Sequence, residues 1–284
     1  MAGMQGRLGL AFVHDARQQR TVMHVTAQQA PLRVIRAFPL PDSGVLVHLH
    51  NLSGGILGGD DLAVTLDVRA GARAQVTTTS ATRIYRPRPD AVPARQQTTI
   101  TVAAGGMLEY LPDTLIPFAG ARYQQETHIT LADDAGFMGW EVLAPGREAR
   151  DECFAFDTLR LRLDICAGTQ PLLLERVALE PHLQPLTAPA RMGPYRYLAS
   201  FYCCHPGLPA ARWQALESQL AEIANQYSVR GACQWGVSAL VAHGVLVRGL
   251  SVEGSQVLQQ LTTFWRTAKR TLYDAEAIPP RKVP

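Results

Sequence analysis

A chain of 284 residues with 47% hydrophobic and 18% charged side chains has the composition of an ordinary globular protein, long enough to bury a core without disulfides or a structural metal. Its net charge of +3 comes from 27 basic and 24 acidic residues spread along the chain, with Lys269 and Lys282 the only lysines; this excludes the basic stripe of a nucleic-acid binder. No run approaches the roughly 18 apolar residues of a membrane helix. The apolar stretch at residues 6–14 is too short for a secretory signal and lacks its cleavage pattern. Five cysteines (Cys153, Cys166, Cys203, Cys204, Cys233) without a C-x-x-C pair predict reduced thiols, so a cytoplasmic protein is expected, with neither nucleic acid nor membrane as partner.

Residues 45–61 read VLVHLHNLSGGILGGDD. A strand runs into Gly54 and Gly55, an apolar step, then Gly58 and Gly59, and two carboxylates before the next strand. Paired glycines permit positive φ and close backbone approach. No Gly-Lys-Ser/Thr follows and the G-x-G-x-x-G spacing is absent, so a nucleotide loop is not expected. Asp60 and Asp61 face opposite sides of an extended chain, and Asp60 is taken as the inward one, shaping a turn or meeting a cation. His48 and His50 share one face of the preceding strand, a partial metal set lacking a third ligand.

Residues 62–69 alternate apolar and polar, as do Leu159, Leu161, Leu163 and Ile165, which predicts half-buried strands. A phrase of two alternate apolar residues followed by a glycine turn recurs at Gly71, Gly105, Gly136 and Gly168, at intervals of 34, 31 and 32 residues. Such a near-period points to stacked β units, although hairpins of a sandwich recur at similar distances. After Pro209, suited to a helix start, Trp213, Leu216, Leu220, Ile223 and Tyr227 have the spacing of an amphipathic helix. Residues 234–252 return to β, with Trp235, Val237, Ala239 and Val241 alternating. Ser255 is placed to cap a second helix with Leu258, Leu261, Phe264 or Trp265, Ala268 and Leu272 inward, and residues 278–284 read as a tail. The expected fold is mainly β: a single domain over residues 1–284 of stacked, β-helix-like strands, with two amphipathic helices in the C-terminal third.

Catalytic sets are weak. Ser53 lacks a G-x-S-x-G frame and its strand-to-helix turn. Glu109, Glu141, Glu152 and Glu175 lie in or beside strands and could pair as glycoside-hydrolase carboxylates do, at separations the sequence does not give. Cys203-Cys204-His205 offers metal-ligating types, but adjacent residues on an extended chain diverge.

Several segments in order resemble the urease accessory protein D (or H) family. They are Arg20-Thr21, Ala30 to Val34, and most specifically Ser53-Gly54-Gly55-Ile56-Leu57-Gly58-Gly59-Asp60. Thr77 to Arg86, Leu108 to Asp113, Trp140 to Arg147, Leu174-Glu175-Arg176 and the helix with Trp265 follow. Two departures stand out: Asp151 where a glycine is usual, and a loosely matching end at Arg281-Lys282-Val283-Pro284. The resemblance implies a layered β fold with two helices and a nickel-delivery scaffold rather than an enzyme. Its implied partners are apo-urease, an accessory protein F and, through it, a GTPase G. No cofactor is expected to be tightly bound; Ni²⁺ is carried transiently. A conduit needs sparse, exchangeable ligands rather than a closed imidazole or thiolate cage. Asp60 and Glu175 are therefore expected to line the nickel path, with His50 and Glu141 as further candidates and no tight metal site. A scaffold without a nickel path is the alternative, and a carbohydrate-active enzyme a more distant one.

Overall fold

Residues 3–88 and 90–280 are described by the computed structural model. A hairpin, β1 (Gln5–Asp15) with β2 (Arg20–Gln29), and two short strands, β3 (Leu32–Arg33) and β4 (Ala37–Pro39), precede a repeating alternation. It runs through β5 (Val45–Asn51), β6 (Asp61–Val68), β7 (Arg73–Thr78), β8 (Thr82–Ile84), β9 (Ala94–Val102), β10 (Met107–Tyr110), β11 (Leu115–Pro117), β12 (Arg122–Leu131), β13 (Gly136–Leu143), β14 (Thr158–Ala167) and β15 (Gln170–Leu179). Then come β16 (Tyr197–Cys204), α1 (Ala210–Tyr227), β17 (Cys233–Ala239), β18 (Gly244–Ser251) and α2 (Val257–Tyr273).

Successive strands cross between two sheets. The first has the order β15-β14-β12-β9-β6-β1-β2, the second β17-β18-β16-β13-β10-β7-β5-β3. Within each, the alternating strands pair in parallel: β6, β9, β12 and β14 in one, and β5, β7, β10 and β13 in the other. A chain that returns one step further along after each crossing builds the expected β-helix-like stack, and neither sheet closes on itself. Parallel register puts like residues over like. Leu66, Ile100, Ile129 and Ile165 lie side by side across four strands, each at most 2% exposed. Truncating one of them to Ala removes its transfer energy and leaves a cavity, about 2–5 kcal/mol together.

The glycine near-period marks one edge of this stack, with a correction. Gly71 and Gly105 hold positive φ at equivalent turns, but in the next coil Asp134 does so (φ 59°), not Gly136. Aspartate tolerates the left-handed region through local hydrogen bonding. Gly136 instead opens β13, where a Cβ would lie 2.4 Å from Met107 Sδ. The turns stack through Gly71 N–H to Ala104 O and Gly105 N–H to Asp134 O. Asp151, the departure from the family's usual glycine, likewise holds φ 57°.

Two apolar cores result, one between the sheets and one between the second sheet and the helices. Pro209 sits at the start of α1, which buries Trp213, Leu216, Leu220 and Ala224. Helix α2 begins at Val257 after Gln256, with no side-chain cap, so Ser255 does not serve as the cap. The tertiary burial of Leu261, Phe264, Trp265, Ala268 and Leu272 carries this helix instead. The alternation expected through Val241 stops at Ala239, because Val241 lies in the turn before β18 and is fully exposed. Behind α2, Lys269 Nζ meets Glu109 Oε1 at 3.0 Å, and Glu109 also accepts from Trp265 Nε1 and Gln75 Nε2. Gln75 Nε2 donates to the Ile278 carbonyl as well, which fastens the start of the tail. Arg281-Lys282-Val283-Pro284 lies outside the described residues.

Candidate functional site

The glycine-rich segment forms the first rung of a short third ladder. Ile56 pairs with Ile84, β8 with β11, and β11 with β13, so the segments at residues 53–60, 77–86, 108–118 and 140–147 are equivalent parts of successive coils. Gly55 and Gly58 permit close approach: a Cβ at either would lie 2.3 Å from Tyr85 Cε2 or 2.1 Å from Pro87 Cβ. Gly54 and Gly59 hold positive φ. Ser53 donates its backbone N–H to Asn51 Oδ1 within the same turn.

Asp60 is 2% exposed, and its two oxygens accept the backbone N–H groups of Met4 and Leu57, both at 2.9 Å. Asp61 points the other way, to Arg7 at 2.8 Å. Asp60 thus ties the glycine loop to the N-terminal strand.

Beside this ladder, between the sheets, lies a cavity of about 140 Å³. His50, Glu141 and Glu175 line it together with Tyr110, Gln125, Ser200 and Tyr202; Asp60 is not among its lining residues. The cavity brings together two carboxylates 34 residues apart in sequence. Tyr202 Oη lies 2.9 Å from Glu175 Oε2 and 3.3 Å from Glu141 Oε2, and Gln125 Nε2 donates to Glu141 Oε1 at 2.7 Å. Glu175 also meets Arg248 at 2.9 Å, an ion pair between β15 of the first sheet and β18 of the second. Among the described residues Glu175 has this direct cation and Glu141 has none. Burial, and then the Glu175 charge, push the Glu141 carboxyl up to about 7, against the opposing hydrogen bonds of Tyr202 and Gln125. Burial and the same two carboxylates hold Tyr202 neutral, with its pKa well above the usual phenol value. His50 is pushed down by burial, then by His48 and Arg33, so its imidazole stays neutral and able to accept a bond.

The other sequence candidates scatter. His48 packs edge-on against Phe38. Cys203 and Cys204 face different cores, and His205 bridges Tyr273 and Asp134. Glu109 sits on the opposite face of the second sheet, and Glu152 pairs with Arg147 on the surface. Among the described residues no group of three His, Cys, Asp or Glu could enclose a metal, and no helix is long and apolar enough to cross a membrane.

A family model described as UreD urease accessory protein matches residues 4–284. The chain belongs to the UreD urease accessory protein family. It is 48% identical to the urease accessory protein UreD of Herpetosiphon aurantiacus over 280 residues, 99% of this chain and 96% of that protein. It is 32% identical to UreD 2 of Methylorubrum extorquens over 96% of this chain, and 27% identical to UreD of a Bacillus species over 94%. A UreD-family protein is an accessory factor in urease maturation, not an enzyme, so the glycoside-hydrolase reading of the carboxylate pair falls away. The sequence pointed to His50, Glu141 and Glu175 but not to Gln125 and Tyr202 of the same cavity, nor to Arg248, which pairs with Glu175. Each lies on a strand with no local mark of function, and only the packing of the two sheets brings them to the glutamates.

Proposed function

We propose that this UreD-family chain binds apo-urease in the cytoplasm, recruits the F- and G-type accessory proteins, and passes Ni²⁺ through the inter-sheet cavity. The observation that carries the reading is the Glu141–Tyr202–Glu175 cluster. Arg248 pairs with Glu175 and not with Glu141, burial favours a protonated Glu141, and a divalent cation would supply positive charge between the two carboxylates. Oxygen ligands from two glutamates, with His50 nearby, hold a borderline metal loosely enough to release it. Asp60 acts one step back, by holding the loop whose glycines form part of the cavity wall. Nickel is cargo here, not a resident cofactor.

The scaffold alternative gives the same complexes without this path. Glu175→Gln separates the two, with urease activation and assembly of the urease–accessory complex measured on the same preparations. Lost activation in an intact complex supports the path; full activation refutes it and leaves a scaffold.

A further inference from the structure

Four residues of the cavity lining are exposed, Gly54, Thr79, Ser80 and Arg162, and the first three place an opening beside the glycine loop. Around that mouth the surface changes character. Leu52 (59% exposed) and Leu57 (44%) stand out from the loop, and Ile35 (70%) follows β3, which pairs with β5 at His50. The neighbouring loop and strand segments also carry arginines. Arg33 is close enough to His50 to depress its pKa, and Arg83 accepts the Ile56 N–H through its carbonyl. Arg86 packs its side chain over Gly120. None of the three forms an ion pair among the described residues; on the first sheet Arg7, Arg95, Arg160, Arg162 and Arg176 are matched to carboxylates, and Arg20 and Arg122 are not.

We propose that this arginine and leucine collar docks an acidic surface of a protein partner, so that the cavity is served across a protein contact rather than from bulk solvent. Arginine interleaved with exposed leucine and isoleucine is the composition of a protein interface. The unmatched guanidinium groups call for carboxylates opposite them, through which they also steer the encounter. A nucleic acid is disfavoured by the apolar residues and by the absence of any lysine in the collar. The same positive rim repels a free divalent cation, so a metal ion gains entry more readily when an acidic partner face neutralises the rim first. The inference rests on the nickel reading for its purpose; the docking chemistry does not need it.

The test uses the full-length protein with three probes measured separately: apo-urease, the F-type accessory protein, and a duplex oligonucleotide. Arg33→Glu/Arg83→Glu is compared with Arg17→Glu, a reversal in the exposed β1–β2 turn, and thermal melts verify folding. Should the double variant fold poorly, Leu52→Ser with Leu57→Ser keeps the charge and removes the apolar half. The expected result is about a tenfold or greater loss of affinity for one protein probe at moderate salt, a shallower salt dependence, and no change for Arg17→Glu. Protein affinities within twofold of the unaltered chain, or oligonucleotide binding that depends on Arg33 and Arg83, overturn the proposal. The nickel path is tested apart from this: if Glu175→Gln activates urease fully while the collar variants lose binding, the path fails and the docking surface stands.

Discussion

Replacing Glu141 with glutamine should make the protein more stable at alkaline pH. The Glu141 carboxyl titrates near 4.5 in the unfolded chain and about 7 in the folded one. The folded state therefore holds this proton more tightly, and the stabilisation is complete below pH 4.5 and is lost as pH rises through 7. At 1.36 kcal/mol per pH unit, the ionised carboxylate costs the folded state at most about 3 kcal/mol above pH 7. Glu141→Gln abolishes that cost. Its side-chain oxygen still accepts from Gln125, and its new amide can donate to Tyr202 or Glu175. For a chain of this size 1 kcal/mol moves Tm by about 2–4 °C, so the variant should melt about 6–12 °C above the unaltered chain at pH 8 and near it at pH 4.5–5. Differential scanning fluorimetry across pH 4.5–8 reads this directly. Parallel melting curves for the two proteins at every pH would refute the reasoning, as would a variant less stable at pH 8.

Asp60→Ala leaves the Met4 and Leu57 N–H groups without their acceptors and should cost about 2–4 kcal/mol in urea unfolding; Asp60→Asn should recover part of this through its single carbonyl oxygen. Gly58→Ala drives a Cβ into Pro87 and should lower Tm by several degrees, whereas Gly54→Ala, with open space around its Cβ, should pay only for its positive φ. Lys269→Met strands the Glu109 carboxylate behind α2 and should destabilise by about 3–5 kcal/mol in guanidinium unfolding; a paired Lys269→Met/Glu109→Gln change should restore most of the loss.

The elements whose signals are local were legible in the sequence. Period-two alternation located strands such as β6, β14 and β17 but not β1, β2 or β16, three-and-four spacing located both helices, and the near-period of glycine turns announced stacking. Gly136 misplaced one turn because a glycine kept for packing against Met107 looks in sequence like one kept for positive φ, while Asp134 did the turning. Ser255 was misread for a similar reason: a cap is plausible from residue type alone, but burial of Trp265 and its neighbours sets where α2 begins. The site divides in the same way. His50, Glu141 and Glu175 were recognisable as candidates, and only the fold places them in one cavity. Asp60 drew attention beside the glycines, yet its oxygens serve two backbone N–H groups, a partnership fixed by the distant residue Met4. Tyr202 and Arg248 had no signal at all, since their importance comes from facing Glu175 across the two sheets.

The central claim is that nickel crosses the inter-sheet cavity past Glu141 and Glu175. Its most direct test is nickel transfer from a nickel-loaded G-type GTPase to apo-urease in the assembled accessory complex, with a chelator in the bulk solution, followed by metal analysis of the isolated urease. The account predicts chelator-resistant transfer with the unaltered chain and little urease-bound nickel with Glu141→Leu/Glu175→Leu in an equally assembled complex. Equal nickel content in both would contradict it.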